Sequence, residues 1–379
     1  MIPILNHPRS PQPSRRNMTL SIHSYNQVYA EFRVPSAMAQ SAQSEISIPS
    51  TASPQTQLVA LLQTVGVAPL NHTGWIRVTG DDRVRWLNGM VTNATQQLKT
   101  GEGNYNFLLS VQGRIQGDAT IFAEPDALLL QTAAAQVPGL MTLLDRFIIM
   151  DDVELSNITD AWTGLLVAGP QAASLLAKIG LPVEALAVLE RQSLTWNSAV
   201  VTTIHAYSPL IPRYELWIDE ATAPLLLQSL LDAGAVPCEP QSLEWLRMLE
   251  GTPLYGVDIR DRELPQETGQ NRALHFAKGC YLGQEIVERI RSRGNVHRAF
   301  TGLRLEGELP AVASKLQADD KEVGELTSVA AIPLPGAKGI VQLALGYVRR
   351  EALDRASPLL YLGGIANPVT LPFSPAETT

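Results

Sequence analysis

The sequence has few cysteines, no long hydrophobic run and no excess of positive charge. Only two of its 379 residues are cysteine, Cys238 and Cys280, which is too few for a disulfide framework and typical of a reducing compartment. No run approaches the roughly 18 apolar residues that a membrane-spanning helix requires. The formal net charge of −8 disfavours a general nucleic-acid coat. We therefore expect a cytoplasmic protein without a membrane span.

The sequence does contain apolar material for more than one core. Hydrophobic residues make up 45% of the chain and charged residues 17%, as in ordinary globular proteins. At roughly 150 residues per domain, the length predicts two or three domains. Residues 1–57 are rich in Ser, Pro and Gln and have no sustained apolar period, which predicts a disordered extension. A transit peptide, or a true start at Met18 or Met38, are the alternatives.

The pattern of residues 58–296 predicts an α+β region. Strand-like runs such as GWIRVTG (74–80) alternate with helical spacing such as DDRVRWLNGMVTN (81–93), without a clean repeat. A second block of the same kind begins with GLLVAGP, so we place a split between two subdomains near residue 160. In residues 297–379, short apolar runs are separated by Gly and Pro at close intervals, which indicates a small C-terminal β-barrel.

The stretch KGCYLGQE (278–285) stands directly before a predicted helix. Gly283 is the expected start of that helix, Gln284 and Glu285 fall in its first turn, and Gly294 ends it. The acidic residue near the beginning and the arginines near the end complement the helix macrodipole.

Cys280 is the candidate functional residue of this stretch. It lies just ahead of free backbone N–H groups and two residues from the ammonium of Lys278, and both features favour a thiolate. Gly279 and Gly283 remove side chains where a ligand or another backbone could approach. The alternative is a small buried hydrophobic cysteine, which is the commoner case. No second cysteine or histidine stands at metal-ligand spacing, so we expect no metal site.

The segment RIRSRGNVHR (289–298) concentrates positive charge. Either it is a solvated helix end, or it binds carboxylates or phosphates, and the sequence leaves both readings open. The residues concerned are Arg289, Arg291, Arg293, His297 and Arg298.

KGCYLGQE, followed by a helix and an RG turn, resembles the signature of the YgfZ family, folate-binding proteins involved in iron–sulfur cluster maintenance. That family is related to the aminomethyltransferase of the glycine cleavage system. The resemblance extends from about Gln57 to Phe373. It implies two related α+β halves around a central folate pocket, followed by the barrel. It also implies tetrahydrofolate, or a one-carbon derivative of it, as the cofactor.

The resemblance also assigns binding residues. Glu215 falls where the transferases place a carboxylate facing the pterin, and such a carboxylate can accept two parallel hydrogen bonds from a 2-amino-pyrimidine edge. The alternation of polar and apolar residues around Glu215 would, taken alone, predict an exposed side chain. Arg247 occupies the arginine position on the helix before the pocket, and Asn93 and Tyr255 fall in pocket-lining segments. The signature adds four residues to the predicted pocket: Gly279, Gly283, Gln284 and Glu285.

The chain departs from the transferase pattern in two places. The consecutive aspartates of the transferase hairpin are replaced by Gly117 and Asp118, and the transferases lack the cysteine of KGCYLGQE. We therefore expect first a folate-binding accessory protein that supports iron–sulfur client enzymes through Cys280 and Lys278. An aminomethyltransferase-like enzyme that uses Asp118 is second, and a module that binds protein or RNA through residues 289–298 is third. We expect a monomer.

Overall fold

A computed structural model describes residues 46, 48, 50–294, 296–336 and 339–374. Helix α1 (Pro54–Gln63) begins inside the segment for which the sequence predicted disorder. The Ser53 hydroxyl accepts a hydrogen bond from Thr56 N, and Pro54 occupies the first turn, so both start signals of a helix are present. Most of the predicted extension, residues 1–45 with 47 and 49, lies outside the described residues.

The first sheet has five strands and two helices on one face. Strand β1 (Gly66–Pro69) precedes it and joins the second sheet. The strand order of the first sheet is β3-β4-β5-β2-β6, and all its pairings are antiparallel. Its elements are β2 (Thr73–Thr79), α2 (Arg83–Met90), β3 (Gly103–Leu109), β4 (Ile115–Ala123), β5 (Leu128–Ala133), α3 (Val137–Asp145) and β6 (Glu154–Asn157).

The second sheet has six strands in the order β11-β1-β7-β10-β9-β8, in which β11 and β1 run parallel and the other pairs antiparallel. Its elements are β7 (Thr163–Ala168), α4 (Ala172–Lys178), β8 (Arg191–Trp196), β9 (Ala199–Ala206), β10 (Arg213–Ile218), α5 (Ala223–Asp232) and β11 (Val236–Pro237). Helix α6 (Pro240–Glu250) follows the sheet.

The two sheets face each other across an aromatic layer. Strand alternation directs one face of each sheet to its own helices, α2 and α3 for the first and α4 and α5 for the second. The opposite faces meet, and there Trp75 and Phe122 of the first sheet pack with Trp217 of the second. Trp75 and Trp217 meet edge to face with ring centroids 5.1 Å apart, a favourable geometry for aromatic rings.

The last part of the chain is a closed antiparallel barrel, as the sequence predicted. The strand order is β12-β15-β14-β13-β16-β17, and α1 and α6 pack against the barrel side formed by β14 and β15. The elements are α7 (Gln284–Arg293), β12 (Arg298–Gly307), β13 (Lys315–Ala318), β14 (Lys321–Pro333), β15 (Ile340–Arg349), α8 (Arg350–Asp354), β16 (Leu359–Tyr361) and β17 (Gly364–Val369). The predicted α+β class with a C-terminal barrel is thus confirmed. Among the described helices, none is both long and apolar enough to cross a membrane.

Helix α7 begins and ends at the predicted glycines, Gly283 and Gly294, which both adopt left-handed backbone conformations. The turn between β3 and β4 packs against the start of this helix. A Cβ added at Gly283 would lie 2.5 Å from Ser110 O, and one added at Gly113 would lie 2.7 Å from Cβ of Ile286. Both positions therefore require glycine, for space as well as for backbone conformation.

We expect Gly283→Ala to lower the free energy of unfolding by about 1–3 kcal/mol or more, because an alanine there adopts a positive φ and also meets Ser110 O. Urea denaturation measures the change. Gly279→Ala is the matched control: its Cβ meets no atom within 4 Å and its backbone is outside the left-handed region, so the effect should stay within about 0.5 kcal/mol. An equal decrease in the free energy of unfolding in both variants would contradict the requirement for glycine at position 283.

Candidate functional site

The ammonium of Lys278 is bound to three backbone carbonyls, one in the last turn of α2 and two in the segment that follows it. Its Nζ lies 2.7 Å from Asn88 O, 2.6 Å from Val91 O and 2.7 Å from Asn93 O. Carbonyls at a helix C-terminus have no partner within the helix and carry partial negative charge, so they suit a cation. Burial lowers the pKa of Lys278 to about 7, and the three carbonyls oppose this shift because they accept hydrogen bonds from the charged form.

These contacts correct the predicted role of Lys278. An ammonium has three donors, and here all three are directed at carbonyls rather than at the neighbouring thiol. Lys278 therefore fixes the loop that carries Cys280. Two backbone hydrogen bonds add to this attachment, from Leu282 N to Gly89 O at 3.0 Å and from His275 N to Thr92 O at 3.2 Å.

The two cysteines of the chain differ in their surroundings. Cys280 is exposed, whereas Cys238 is buried. Burial raises the pKa of the Cys238 thiol to about 12, so that thiol stays protonated at neutral pH. Cys280 is not the small buried hydrophobe that was the alternative reading.

The other signature residues support the loop and the helix. Gln284 Oε1 accepts a hydrogen bond from Tyr281 N at 3.2 Å, and Glu285 is exposed on the first turn of α7. Gly283 makes the close backbone approach that was predicted, but Gly279 faces open space. None of the described residues of 278–285 lines the cavity that lies between the sheets.

A cavity of about 190 Å³ opens between the facing sides of the two sheets. Ligand pockets usually measure about 300–1,000 Å³, so this cavity is smaller than a pocket that encloses a whole ligand. The walls combine apolar and polar side chains from both sheets with one residue of the 3-10 helix Asn271–Ala273. The lining residues are Tyr105, Thr120, Phe122, Gln131, Leu189, Ile204, Ala206, Tyr207, Arg213, Glu215 and Arg272.

Glu215 is buried on the cavity wall, on β10. Its Oε2 accepts a hydrogen bond from Gln131 of the facing sheet and another from Trp217 Nε1 at 3.2 Å. Within the described part of the chain, both hydrogen bonds to this carboxylate fall on Oε2. A carboxylate has four lone-pair sites, so Oε1 keeps capacity for donors of a ligand.

Arg272 is stacked between two tyrosines at the same cavity. Its guanidinium carbon lies 4.1 Å from the ring centroid of Tyr105 and 3.9 Å from that of Tyr207, within the range of a cation–π contact. Burial lowers the pKa of Arg272, and the two tyrosines with Asp118 oppose the shift. The three stacked groups form a wall that is aromatic and cationic together.

Asp118 lies on the same face of β4 as the cavity residues, and Gly117 lies on the opposite face. Asp118 accepts hydrogen bonds from Tyr105 Oη at 2.6 Å and from Gln136 Nε2 at 2.8 Å. A side chain at Gly117 would instead meet Leu140 of α3. Gly117 therefore faces α3, and Asp118 is the inward residue of the pair. Burial raises the pKa of Asp118, which its two hydrogen bonds oppose.

Asn93 and Tyr255 support the cavity from behind its wall. Asn93 Nδ2 donates to the backbone oxygens of Tyr105, at 3.1 Å, and of Arg272, at 2.9 Å. Tyr255 Oη donates to Gln116 O at 2.8 Å, and burial raises the pKa of Tyr255 to about 12. Because Asn93 also presents its carbonyl to the lysine ammonium, it connects the cysteine loop with the cavity wall.

The structure gives Arg247 a role different from the predicted one. Its five N–H donors are all used, on Glu244, Asp258, Thr252 O and Ser328. Burial would lower the pKa of Arg247, but the two carboxylates outweigh it and the pKa is raised. Arg247 thus joins α6 to β14 of the barrel and has no donor left for a ligand.

The basic segment 289–298 is partly neutralised. Arg298 binds Glu267 through Nε and Nη2, at 3.0 and 3.1 Å, and Arg291 pairs with Glu288 at 3.5 Å. Arg289 and His297 are exposed. Two of these cations have acidic partners, which favours the solvated-surface reading over a strong anion site. Among the described residues, no group of three or more His, Cys, Asp or Glu side chains could hold a metal ion.

Sequence comparison matches the larger part of this chain to a known family. The family model described as the GCVT N-terminal domain matches residues 36–278, which is more than half of the chain. The chain belongs to the GCVT family. The match does not distinguish subfamilies within the GCVT family.

Individual GCVT relatives are distant. The chain is 26% identical over 290 residues to a protein of Arabidopsis thaliana named "Putative transferase At1g60990, chloroplastic"; the match covers 76% of this chain and 66% of that protein. It is 27% identical over 312 residues to an aminomethyltransferase of a Nostoc species, with 79% and 81% of the two chains covered. The crystal structure of glycine cleavage system aminomethyltransferase T from Bartonella henselae shares the fold, with a TM-score of 0.75 and 21% identity, over 85% of this chain and 89% of that one.

Several cavity residues of this GCVT-family chain are missed by sequence reasoning. Arg213 was detectable, because it precedes Glu215 by two residues in an alternating strand and so shares its face. Gln131 and Tyr207 carry no local signal, and Arg272 stands in an irregular segment, GQNRALHF, where spacing predicts no direction.

We expect Lys278→Met to release the cysteine loop, because three backbone carbonyls lose their donor. Amide hydrogen exchange at His275 and Leu282 should become faster, and the free energy of unfolding should fall by about 1–3 kcal/mol. Lys99→Met is the control: that lysine side chain is 85% exposed, so neither quantity should change. Unchanged exchange at both amides in Lys278→Met would refute the anchoring role.

Proposed function

We propose that this protein is a tetrahydrofolate-binding accessory protein that supports iron–sulfur enzymes, with Cys280 as its functional thiol. The observation that carries the proposal is the buried carboxylate of Glu215 on a cavity between two sheets. The folate dependence of the GCVT family and the stretch KGCYLGQE support it. The subfamily, the cofactor and the client enzymes are all part of the proposal.

The chemistry of the cavity suits the pterin head of folate. The 2-amino group and the adjacent ring N–H of a pterin form a pair of neighbouring donors, and within the described part of the chain Oε1 of Glu215 keeps both of its lone pairs for them. Gln131 and Trp217 hold the Glu215 carboxylate in place from two sides. The aromatic rings of Phe122 and Tyr105 line the same space and offer apolar contact to a flat ring.

The exposed thiol of Cys280 suits chemistry with an external partner. A cysteine buried in the core cannot meet another protein, whereas this one is open to solvent on a loop that Lys278 fixes. The same lysine binds Asn93 O, and Asn93 supports Tyr105 and Arg272 of the cavity wall. A short series of hydrogen bonds thus connects the cavity wall with the cysteine loop.

We expect Glu215→Gln to weaken tetrahydrofolate binding about 10- to 100-fold, because a charge-assisted pair of hydrogen bonds is replaced by a mismatched amide. Tryptophan fluorescence is a suitable readout, since Trp217 donates to this carboxylate. Glu322→Gln, an exposed residue of the barrel, is the matched control and should bind like wild type. Equal affinity in both variants would reject Glu215 as the pterin acceptor.

We expect Cys280→Ala and Cys280→Ser to keep the wild-type affinity for tetrahydrofolate within about twofold, because Cys280 is not part of the cavity wall. In cells that depend on this protein, both variants should lower the activity of iron–sulfur enzymes. Parallel activity assays of several such enzymes check this. Full activity with either variant would remove the thiol from the proposal.

An aminomethyltransferase-like activity is the second candidate, and the inward position of Asp118 favours it. A buried carboxyl with a raised pKa exchanges protons closer to neutral pH than a free one. Incubation with tetrahydrofolate and an aminomethyl donor decides this: formation of methylene-tetrahydrofolate that Asp118→Asn abolishes would establish the transferase, and absence of turnover would exclude it.

A further inference from the structure

Arg213 and Glu215 present opposite charges on one face of the same strand. They are two residues apart on β10, so their side chains leave the sheet in the same direction, about 7 Å apart along the strand. Both line the cavity between the sheets. Tyr214, between them, points to the opposite face and packs in the core formed with α4 and α5.

Arg213 has unused hydrogen-bonding capacity. Its Nε is buried and has no hydrogen-bond partner within the described part of the chain. A buried polar atom without a partner is destabilising, and a ligand in the cavity that supplied an acceptor would remove this penalty. The charge of Arg213 also acts on Glu250, where burial raises the carboxyl pKa while Ser208 and Arg213 lower it.

We propose that Arg213 is a specificity-determining residue that donates to the 4-oxo group of a 2-amino-4-oxo-pyrimidine ring held by Glu215. This inference rests on the proposed function and deepens it. Such a ring presents, in order along one edge, an amino donor, an N–H donor and an oxygen acceptor. The carboxylate accepts from the first two groups, and the neighbouring guanidinium donates to the third.

The arrangement discriminates against 4-amino rings. A 4-amino group is a donor, so it would face the N–H groups of Arg213 and leave both sides unpaired in a buried place. Sites built to hydrogen-bond one group of a ligand reject analogues that cannot make that bond. Arg213 takes over the donor role that the family resemblance placed at Arg247, whose five donors are all used elsewhere.

The experiment compares folic acid with its 4-amino analogue, in which the 4-oxo group and the adjacent ring N–H are replaced by an amino group and an unprotonated ring nitrogen. Wild-type protein and the Arg213→Met and Arg213→Lys variants are titrated with both compounds by tryptophan fluorescence and calorimetry. We expect wild type to prefer the 4-oxo compound about tenfold or more. Arg213→Met should reduce this preference by weakening binding of the 4-oxo compound alone, and the remaining preference comes from the ring N–H that Glu215 accepts. Arg213→Lys, which keeps a cationic donor, should lie between wild type and Arg213→Met.

Two results would overturn the inference. If Arg213→Met weakens the binding of both compounds equally, or changes only the melting temperature of the protein, Arg213 is a structural counter-ion of Glu250. If wild type binds the two compounds equally well while Glu215→Gln loses both, the pterin reading of the cavity stands and Arg213 has no part in selection. Failure of wild type to bind either compound or tetrahydrofolate would instead reject the proposed function itself.

Discussion

The arrangement of the cysteine loop depends on one half-buried ammonium. Lys278 reaches three carbonyls in and just after the last turn of α2 and joins two segments that are far apart in the chain. Burial works against its charge, and the partial negative charge of a helix end works for it. From Asn93 the connection continues to Tyr105 and Arg272. The cysteine loop and the cavity wall are therefore both held by hydrogen bonds to Asn93.

The space between the sheets combines an apolar layer with a few polar side chains that do not use all of their hydrogen-bonding groups. Trp75 and Trp217 keep the sheets together through ring contacts, while Glu215 and Arg213 stand beside them on the cavity. Buried charges are normally paired or hydrogen-bonded on every side. Arg213 Nε has no hydrogen-bond partner within the described part of the chain. This lowers the stability of the fold, and a bound ring with a matching acceptor would restore it. This is the physical basis for placing a ligand here.

Local features could be predicted from the sequence, and distant contacts could not. Helix α7 was delimited correctly because Gly283 and Gly294 mark its ends, and the barrel because Gly and Pro separate its strands. The partners of Lys278 lie up to 190 positions away, and spacing near a lysine carries no information about them. For the same reason Arg247 was assigned to the pocket, although Ser328 and Asp258 use its donors. Glu215 was found through family resemblance, since its alternation suggested exposure.

The carboxylate of Asp258 has a consequence for how the chain can be divided. It has no exposed surface and is bound by Arg247, by Leu254 N and by the Thr327 and Ser328 hydroxyls of β14. A fragment that ended before the barrel would leave this anion with half of its partners, in an interior now opened to water. The sheets and the barrel therefore depend on each other at this buried anion, and separating them would leave a carboxylate short of donors.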